Sequence, residues 1–312
     1  MKKFKKIAKW TGLVILFLVA ALSVTVALRQ NLHYDAPYPA IHASTDSTII
    51  KRGRHLVYSS AHCSDCHSTY NADSVLNLGQ EVPLNGGLLF DLPVGKIYTP
   101  NITSDPVYGI GRRTDEEIAR TLRYGVKHDG TAAFDFMPFH NLSDSDLTAV
   151  ISFVRTLPPV ATPAPSNKLN LLGYIVKAFL VKPVGPSEPV IPFIKPDSTA
   201  TYGRYLVTSV GNCAGCHTKR DLTGGYTGEH MAGGNELNGI YSPNLTPDSS
   251  GRIFNWTQDM FVKRFRMGKL NPKSEMPWNS FKRMTDEELI AIYKYLRTVK
   301  PVRIYYPAPA EK

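Results

Sequence analysis

Cys63-Ser64-Asp65-Cys66-His67 and Cys213-Ala214-Gly215-Cys216-His217 hold all four cysteines of this 312-residue chain. Each pentapeptide sits in a longer matching stretch, RGRHLVYSSAHCSDCHST at 52–69 and YGRYLVTSVGNCAGCHT at 202–218. Two further blocks recur in the same order. IYTPNITSDP (97–106) matches IYSPNLTPDS (240–249), and MPFHNLSDSDLTAVISFVRTLPPV (137–160) matches MPWNSFKRMTDEELIAIYKYLRTVKPV (276–302). Three blocks repeated in one order indicate an internal duplication. Each copy runs to about 105 residues, enough for one small domain. The expected boundaries are 51–160 and 199–305 for the two domains, with a proline-rich linker at 161–198 between them and a short tail at 306–312.

The pentapeptides carry a specific chemistry. Two thiols three residues apart on a helical turn can add to the two vinyl groups of one haem, and the adjacent histidine then faces the iron. A single four-cysteine zinc site or two disulfides would leave both histidines and the duplication unexplained. The expectation is two covalently bound haem c groups, attached through Cys63, Cys66 and His67 and through Cys213, Cys216 and His217. Of the seven methionines only Met137 and Met276 precede proline, and they occupy matching repeat positions. A thioether is soft and neutral and raises the potential of haem iron relative to a second histidine. The axial pairs are therefore read as His67 with Met137 and His217 with Met276. The local rivals are His140 in the first copy and Met267 and Met284 in the second. Tyr98, Asn101, Tyr241 and Asn244 lie in the repeated loops, where they could line a haem edge or bond a propionate; an ordinary turn role is the alternative. Gly86-Gly87 and Gly233-Gly234 would permit close backbone approach to a flat ligand.

Helical periodicity dominates both copies, giving an all-α fold class with long loops. Segments 52–61 and 202–210 place apolar residues on one face ahead of the cysteines. Thr114-Asp115-Glu116-Glu117 forms a capping box, and Ser143 and Thr285 open the last helices, whose apolar residues follow at helical spacing until Pro158 and Pro301. Gly53 and Gly203 would let helices cross closely, with Phe153 and Tyr295 as partners in the crossing. In the linker, the apolar stretch 169–181 is too short to span a bilayer and is expected to pack as a short helix.

The net charge of +10, from 36 Lys and Arg against 26 Asp and Glu, superficially resembles that of a nucleic-acid binder. Six of the basic residues (Lys2, Lys3, Lys5, Lys6, Lys9 and Arg29) precede position 30 with no acid among them, which leaves 30 basic and 26 acidic residues beyond. No nucleic-acid partner is expected. Between Lys9 and Arg29, residues Trp10 to Leu28 carry no charge. They would extend roughly 28 Å as a helix, the thickness of a bilayer core. The lysines ahead of this run place the N-terminus in the cytoplasm and the rest on the outer, periplasmic face. Residues 1–30 are thus read as a basic stub and single transmembrane anchor in the cytoplasmic (inner) membrane, and 31–50 as a tether. A cleaved signal peptide ending near Thr25-Val26-Ala27 is the rival, and either outcome exports the remainder.

These residues resemble class I c-type cytochrome domains, in the form found in cytochrome c subunits of membrane-bound alcohol, aldehyde and gluconate dehydrogenases. The resemblance rests on GRYLV before CAGCHT, the Asn-Ile-Thr-Ser-Asp and Asn-Leu-Thr-Pro-Asp turns, Gly109-Ile110-Gly111, Arg123-Tyr124-Gly125-Val126, Asp129-Gly130, Met137-Pro138, and Asn167-Lys168-Leu169 in the linker. It extends from about residue 50 to 302. It implies two tandem cytochrome c domains, haem c, His/Met ligation and electron delivery to quinone or an oxidase. Such subunits carry three haem motifs, and this chain has two. The expected function is a membrane-anchored dihaem cytochrome c that relays single electrons in a respiratory chain, with no catalytic residues. Its redox partners would be a periplasmic or membrane dehydrogenase, or quinol, as donor and a terminal oxidase as acceptor. Alternatives are a cytochrome subunit of a dehydrogenase or oxidase complex and a dihaem peroxidase, which would need an exchangeable iron ligand.

Overall fold

Side-chain caps start the helices of both copies in the same way. The computed structural model of the protein describes residues 2–69, 75, 80–221 and 224–306, so residues 307–312 of the expected tail lie outside the described residues. Helix Ser47–Tyr58 begins where the Asp46 carboxylate accepts from the Thr48 and Ile49 N–H groups, five residues ahead of the expected start. Ser143 caps helix Asp144–Thr156. In the second copy Thr199 caps Ala200–Tyr205 and Thr285 caps Asp286–Leu296. The capping boxes at Thr114/Glu117 and Thr285/Glu288 are both complete, each satisfying two otherwise orphaned N–H groups. Helix Asp115–Tyr124 has Gln258–Arg266 as its counterpart. The fold is mostly helical, with minor strands confined to loops: Leu89–Leu92, Gly95–Tyr98 and Lys168–Leu169 form one antiparallel sheet, and Glu236–Leu237 pairs with Ile240–Tyr241.

Two helix crossings organise the copies, and glycine permits both. Helix 47–58 packs on 144–156, and 200–205 packs on 286–296. A Cβ added to Gly53 would lie 1.9 Å from the Ala149 carbonyl oxygen and 2.8 Å from Phe153 Cβ; one added to Gly203 would lie 1.9 Å from the Ala291 carbonyl oxygen. Phe153 takes part in its crossing as expected. Tyr295, in contrast, directs its hydroxyl to His230. The apolar residues of both copies, from Leu56 and Ile151 to Leu206 and Leu289, join one continuous core.

The segments outside the copies are held by hydrogen bonds. In the stretch after the apolar N-terminal helix Lys2–Arg29, the Tyr34 N–H donates to the Gly130 carbonyl, and Arg120 donates to the Tyr38 hydroxyl and the Tyr34 carbonyl. The Ala43 and Ser44 N–H groups are received by Asp115 and Ser152. The segment between the copies supplies strand Lys168–Leu169 and helix Leu171–Phe179, and its Ile191 and Pro192 carbonyls accept from Asp144 and Ser145 at the start of the first copy's last helix.

The copies meet through a buried cluster with approximate two-fold symmetry. Arg52 makes two 2.9 Å hydrogen bonds to the Asp146 carboxylate of its own copy, then reaches the Tyr202 hydroxyl at 3.1 Å and Glu288 at 3.4 Å in the other. Tyr202 occupies the repeat position of Arg52 itself. His55 Nε2 contacts Glu288 at 2.8 Å, and its repeat counterpart Tyr205 donates to Asp146, the counterpart of Glu288, also at 2.8 Å. Burial alone would raise the Glu288 pKa, but hydrogen bonds and charge from His55, Arg52 and Thr285 outweigh it and hold the carboxyl below its ordinary value. Removing one member of such a set leaves the others buried and underpaired.

Two outcomes follow from this packing. Gly53→Ala and Gly203→Ala should each lower stability by about 3 kcal/mol or abolish folding, because the obstructing atom is backbone; chemical denaturation compared with an exposed-helix Ala variant would show it. The Glu288 carboxylate contributes fully above its ordinary pKa of 4.5, and the contribution is lost as pH falls through its depressed folded-state value. Glu288→Gln should therefore cost about 3 kcal/mol at pH 7 and flatten the acid limb of a melting-temperature profile.

Candidate functional sites at the two Cys-x-x-Cys-His motifs

Each motif is presented by the same backbone device. The preceding helix ends in a wide turn, with the Ala61 N–H bonding the Leu56 carbonyl at 2.9 Å and the Gly211 N–H bonding Leu206 at 2.7 Å, both five residues back. The next residue is left-handed in both copies, His62 at φ 41° and Asn212 at φ 46°. The helical turns Cys63–Cys66 and Cys213–His217 follow, so the two thiols of each motif project from one turn. Cys63 and Cys213 pack against the core, and burial pushes both thiols up to about 12; burial, with Asp65 nearby, takes Cys66 to about 11. Thiols raised in this way are poorly suited to a thiolate cluster. Among the described residues no three His, Cys, Asp or Glu side chains are arranged to hold a metal ion, as a single zinc site joining the motifs would require.

The motif histidines are buried, at 6% exposure for His67 and 8% for His217. His67 Nδ1 lies 2.9 Å from the Pro100 carbonyl oxygen and His217 Nδ1 lies 3.0 Å from that of Pro243. A carbonyl can only accept, so Nδ1 carries the proton and Nε2 keeps its lone pair for a metal. Burial lowers both imidazole pKa values against the opposing pull of the carbonyl, which favours the neutral, ligating form.

The repeated loops hold those carbonyls in place. Asn101 donates to the Val160 and Thr162 carbonyls and accepts from the Thr103 N–H and hydroxyl; Asn244 donates to Val302 and Ser250 and accepts from both groups of Thr246. These amides tie the histidine-binding loop to the exit of the last helix. Tyr98 and Tyr241 sit half-buried beside them; the Tyr98 N–H donates to Asn167, and Tyr241 stacks on Tyr306. The first glycine of each pair approaches protein backbone and the second a side chain, Thr69 beside Gly87 and Tyr306 beside Gly234. Gly86 and Gly233 donate to the His67 and His217 carbonyls, and a Cβ on either would come within 2.3 Å of the opposing loop, at Pro100 and Ser242 respectively.

Met137 and Met276 are half-buried against the core. In both copies the residue two positions on donates to the methionine carbonyl, Phe139 at 2.8 Å and Trp278 at 2.7 Å, so each Met-Pro forms the same tight turn. The rivals occupy other environments. His140 has both ring nitrogens engaged, by the Arg123 carbonyl and Asp135; Met267 is 61% exposed, and Met284 lies in the core. Each copy therefore offers two thiols, a buried neutral imidazole and a matched thioether, a donor set that fits haem c.

Sequence reasoning missed the proline carbonyls, although Pro precedes Asn in both repeated loops, and it missed the contact between the sites. Ser280, four residues beyond Met276, donates to Asp65 inside the first motif at 2.8 Å, and the His62 ring meets Phe281 edge-on at 5.3 Å. The first attachment turn thus touches the methionine segment of the second copy.

Residues 198–296, the second copy, match the family described as cytochrome C oxidase, cbb3-type, subunit III. The chain is 30% identical over 85% of its length to the alcohol dehydrogenase (quinone) cytochrome c subunit of Gluconobacter oxydans (strain 621H), spanning 58% of that protein. It is 27% identical over 94% of its length to the fructose dehydrogenase cytochrome subunit of Gluconobacter japonicus, spanning 60% of it. A diheme cytochrome c-type protein of Cereibacter sphaeroides is 27% identical over 77% of this chain, which covers 82% of that relative.

The close approach behind each histidine can be measured by contrast. Gly86→Ala and Gly233→Ala combine a left-handed φ with a backbone clash, whereas Gly239 has a left-handed φ with no atom within 4 Å of an added Cβ. The first two should cost about 3 kcal/mol in chemical denaturation and Gly239→Ala only about 1 kcal/mol.

Proposed function

We propose that this chain, a member of the cytochrome c family related to the cytochrome subunits of dehydrogenases, is a membrane-anchored dihaem carrier passing single electrons on the periplasmic side. Cys63 and Cys66 would hold one haem c through thioether bonds and Cys213 and Cys216 the other. His67 with Met137, and His217 with Met276, would supply the axial ligands. A bound haem c supplies an iron that takes up and releases one electron at a time. The histidine tie in both copies carries this reading, because it fixes an imidazole with Nε2 free beside a paired set of thiols.

The protein's own contribution is rigidity. The Pro100 and Pro243 carbonyls fix tautomer and ring orientation, so the ligand moves little when charge on the metal changes. The core excludes water from the imidazoles, and the matched Met-Pro turns place a soft donor ahead of each last helix. If His67 with Met137 and His217 with Met276 hold the two irons, neither would offer a position to a substrate such as peroxide. Tyr98, Asn101, Tyr241 and Asn244 act as pocket-positioning residues, the two asparagines through the loops they pin. The contact of Ser280 with Asp65 and of Phe281 with His62 gives a short route between the copies.

In this reading residues 51–160 and 199–305 are the two haem domains, 161–198 is their linker, 31–50 the tether, and Lys3–Arg29, apolar and unburied, the inner-membrane anchor. The donor is a dehydrogenase or quinol, and the acceptor a downstream oxidase. Relatives that are themselves dehydrogenase cytochrome subunits favour a second form of the same reading, a carrier resident in such a complex. Co-purification from native membranes separates a complex from a free carrier. A pyridine haemochrome assay should give two haems c per chain, and one after Cys63→Ala with Cys66→Ala. Met137→Ala and Met276→Ala should each remove about half of the methionine-to-iron charge-transfer band of the oxidised protein. A single haem in the unaltered protein, or a band untouched by both methionine variants, would refute the assignment.

A further inference from the structure

Helix Leu171–Phe179, in the segment between the copies, presents an apolar face that the cytochrome domains do not use. Asn170 caps it, accepting from the Gly173 N–H and donating to the Pro93 carbonyl. Gly173 presses on the first copy so closely that a Cβ would lie 2.0 Å from the Val94 carbonyl oxygen. One side of the helix is thereby fixed to the first copy. On the other side Leu171, Leu172, Ile175 and Phe179 fall within about 100° of the helix circumference. Leu171 is 77% exposed, and Leu172, Tyr174, Phe179 and Leu180 are exposed as well. A stripe of this kind on a soluble domain calls for a covering surface.

The contacts at the far end of the helix identify that surface. Arg29, the last residue of the apolar N-terminal helix, donates from Nε to the Ala178 carbonyl at 3.3 Å, and its guanidinium lies 5.4 Å from the centre of the Phe179 ring. Lys177 reaches Asn31, just past the end of that helix, at 3.0 Å. If residues 10–28 span the hydrocarbon core, Arg29 lies at the outer headgroup level, and a nine-residue helix bonded to it cannot be far from the same plane. Lys168, Lys177 and Lys182 flank the stripe, and residues 168–187 contain no acid. An apolar stripe with a basic rim is the pattern of a helix lying in a lipid interface.

We propose that helix 171–179 is an in-plane membrane helix, seated in the outer leaflet beside the span, with lipid as the occupant of its apolar face. Together with the span it forms a second point of attachment, which stops the first copy from rotating about a single anchor and holds it against the bilayer. The proposal rests on the anchor reading above, and the test separates the two. Single cysteines replace Leu172, Leu18 in the span, and Asp259, which is exposed on the second copy. Each is labelled with an environment-sensitive fluorophore on the full-length haem-loaded protein in vesicles of phosphatidylethanolamine and phosphatidylglycerol. Quenching by doxyl-labelled lipid is compared with quenching by aqueous iodide. Leu172→Cys should be quenched several-fold more by the lipid probe than Asp259→Cys, and at a shallower depth than Leu18→Cys. Iodide quenching at Leu172→Cys equal to that at Asp259→Cys, with Leu18→Cys still in lipid, would overturn the proposal and leave the anchor intact. A Leu172→Cys label shielded from both quenchers would also overturn it, showing a protein partner or a second copy on this face. A Leu18→Cys label open to iodide would reject the anchor, and the interfacial helix with it.

Discussion

Each buried imidazole is held by one backbone carbonyl, and much of the surrounding architecture serves to keep that carbonyl still. The Pro100 and Pro243 carbonyls accept from the Nδ1–H groups of His67 and His217. Behind them Gly86 and Gly233 close to within contact of the same loops, and ahead of them Asn101 and Asn244 tie the chain to the residues that leave the last helix. The last helix is in turn seated by Gly53 or Gly203. A displacement at the helix crossing would therefore pass through the asparagine and the proline to the ring. Such continuity suits electron transfer, in which a metal site gains by changing little between oxidation states.

The duplication has been elaborated most where the two copies touch. Arg52 and Tyr202, and His55 and Tyr205, are repeat equivalents of different chemistry, whereas Asp146 and Glu288 are both carboxylates; Arg52 meets Tyr202 directly, His55 meets Glu288, and Tyr205 meets Asp146 in the matching contact across the approximate two-fold axis. A symmetric arrangement of identical residues would place two arginines on the axis, where like charges repel. Exchanging one arginine for tyrosine and one histidine for tyrosine gives each carboxylate a donor and leaves a single guanidinium to be neutralised. The same interface brings the first attachment turn against Ser280 and Phe281 in the second copy, so domain cohesion and the route between the proposed haems share one set of contacts.

Particular residues show how far the chain could be read in advance. The Cys-x-x-Cys-His motifs, the duplication, the capping boxes and the Gly53 crossing were legible because each depends on residues close in sequence or on a repeat that compares the chain with itself. The glycine pairs were legible as points of close approach, but not the Pro100 and Ser242 backbone that meets Gly86 and Gly233, since a glycine announces a close approach without naming what approaches. The asparagines were legible as loop residues and illegible as ties, because their partners Val160 and Val302 lie 59 and 58 residues away. The interface cluster was invisible for the same reason, with Arg52 and Glu288 separated by 236 residues.

The apolar stretch 169–181 marks the boundary between the two kinds of information. Local sequence determined that an apolar short helix would form there, since composition and length are properties of neighbouring residues. Local sequence likewise determined the thiol spacing, the soft donors and the length of the N-terminal span. Which way the apolar side would face, and that it would lie against Arg29 at the end of the span, were decided only by the packing of Gly173 on Val94. Periodicity specifies what a segment must bury, and tertiary structure decides against what, because burial is non-directional and the choice among apolar surfaces falls to the few close contacts and hydrogen bonds that only one arrangement satisfies.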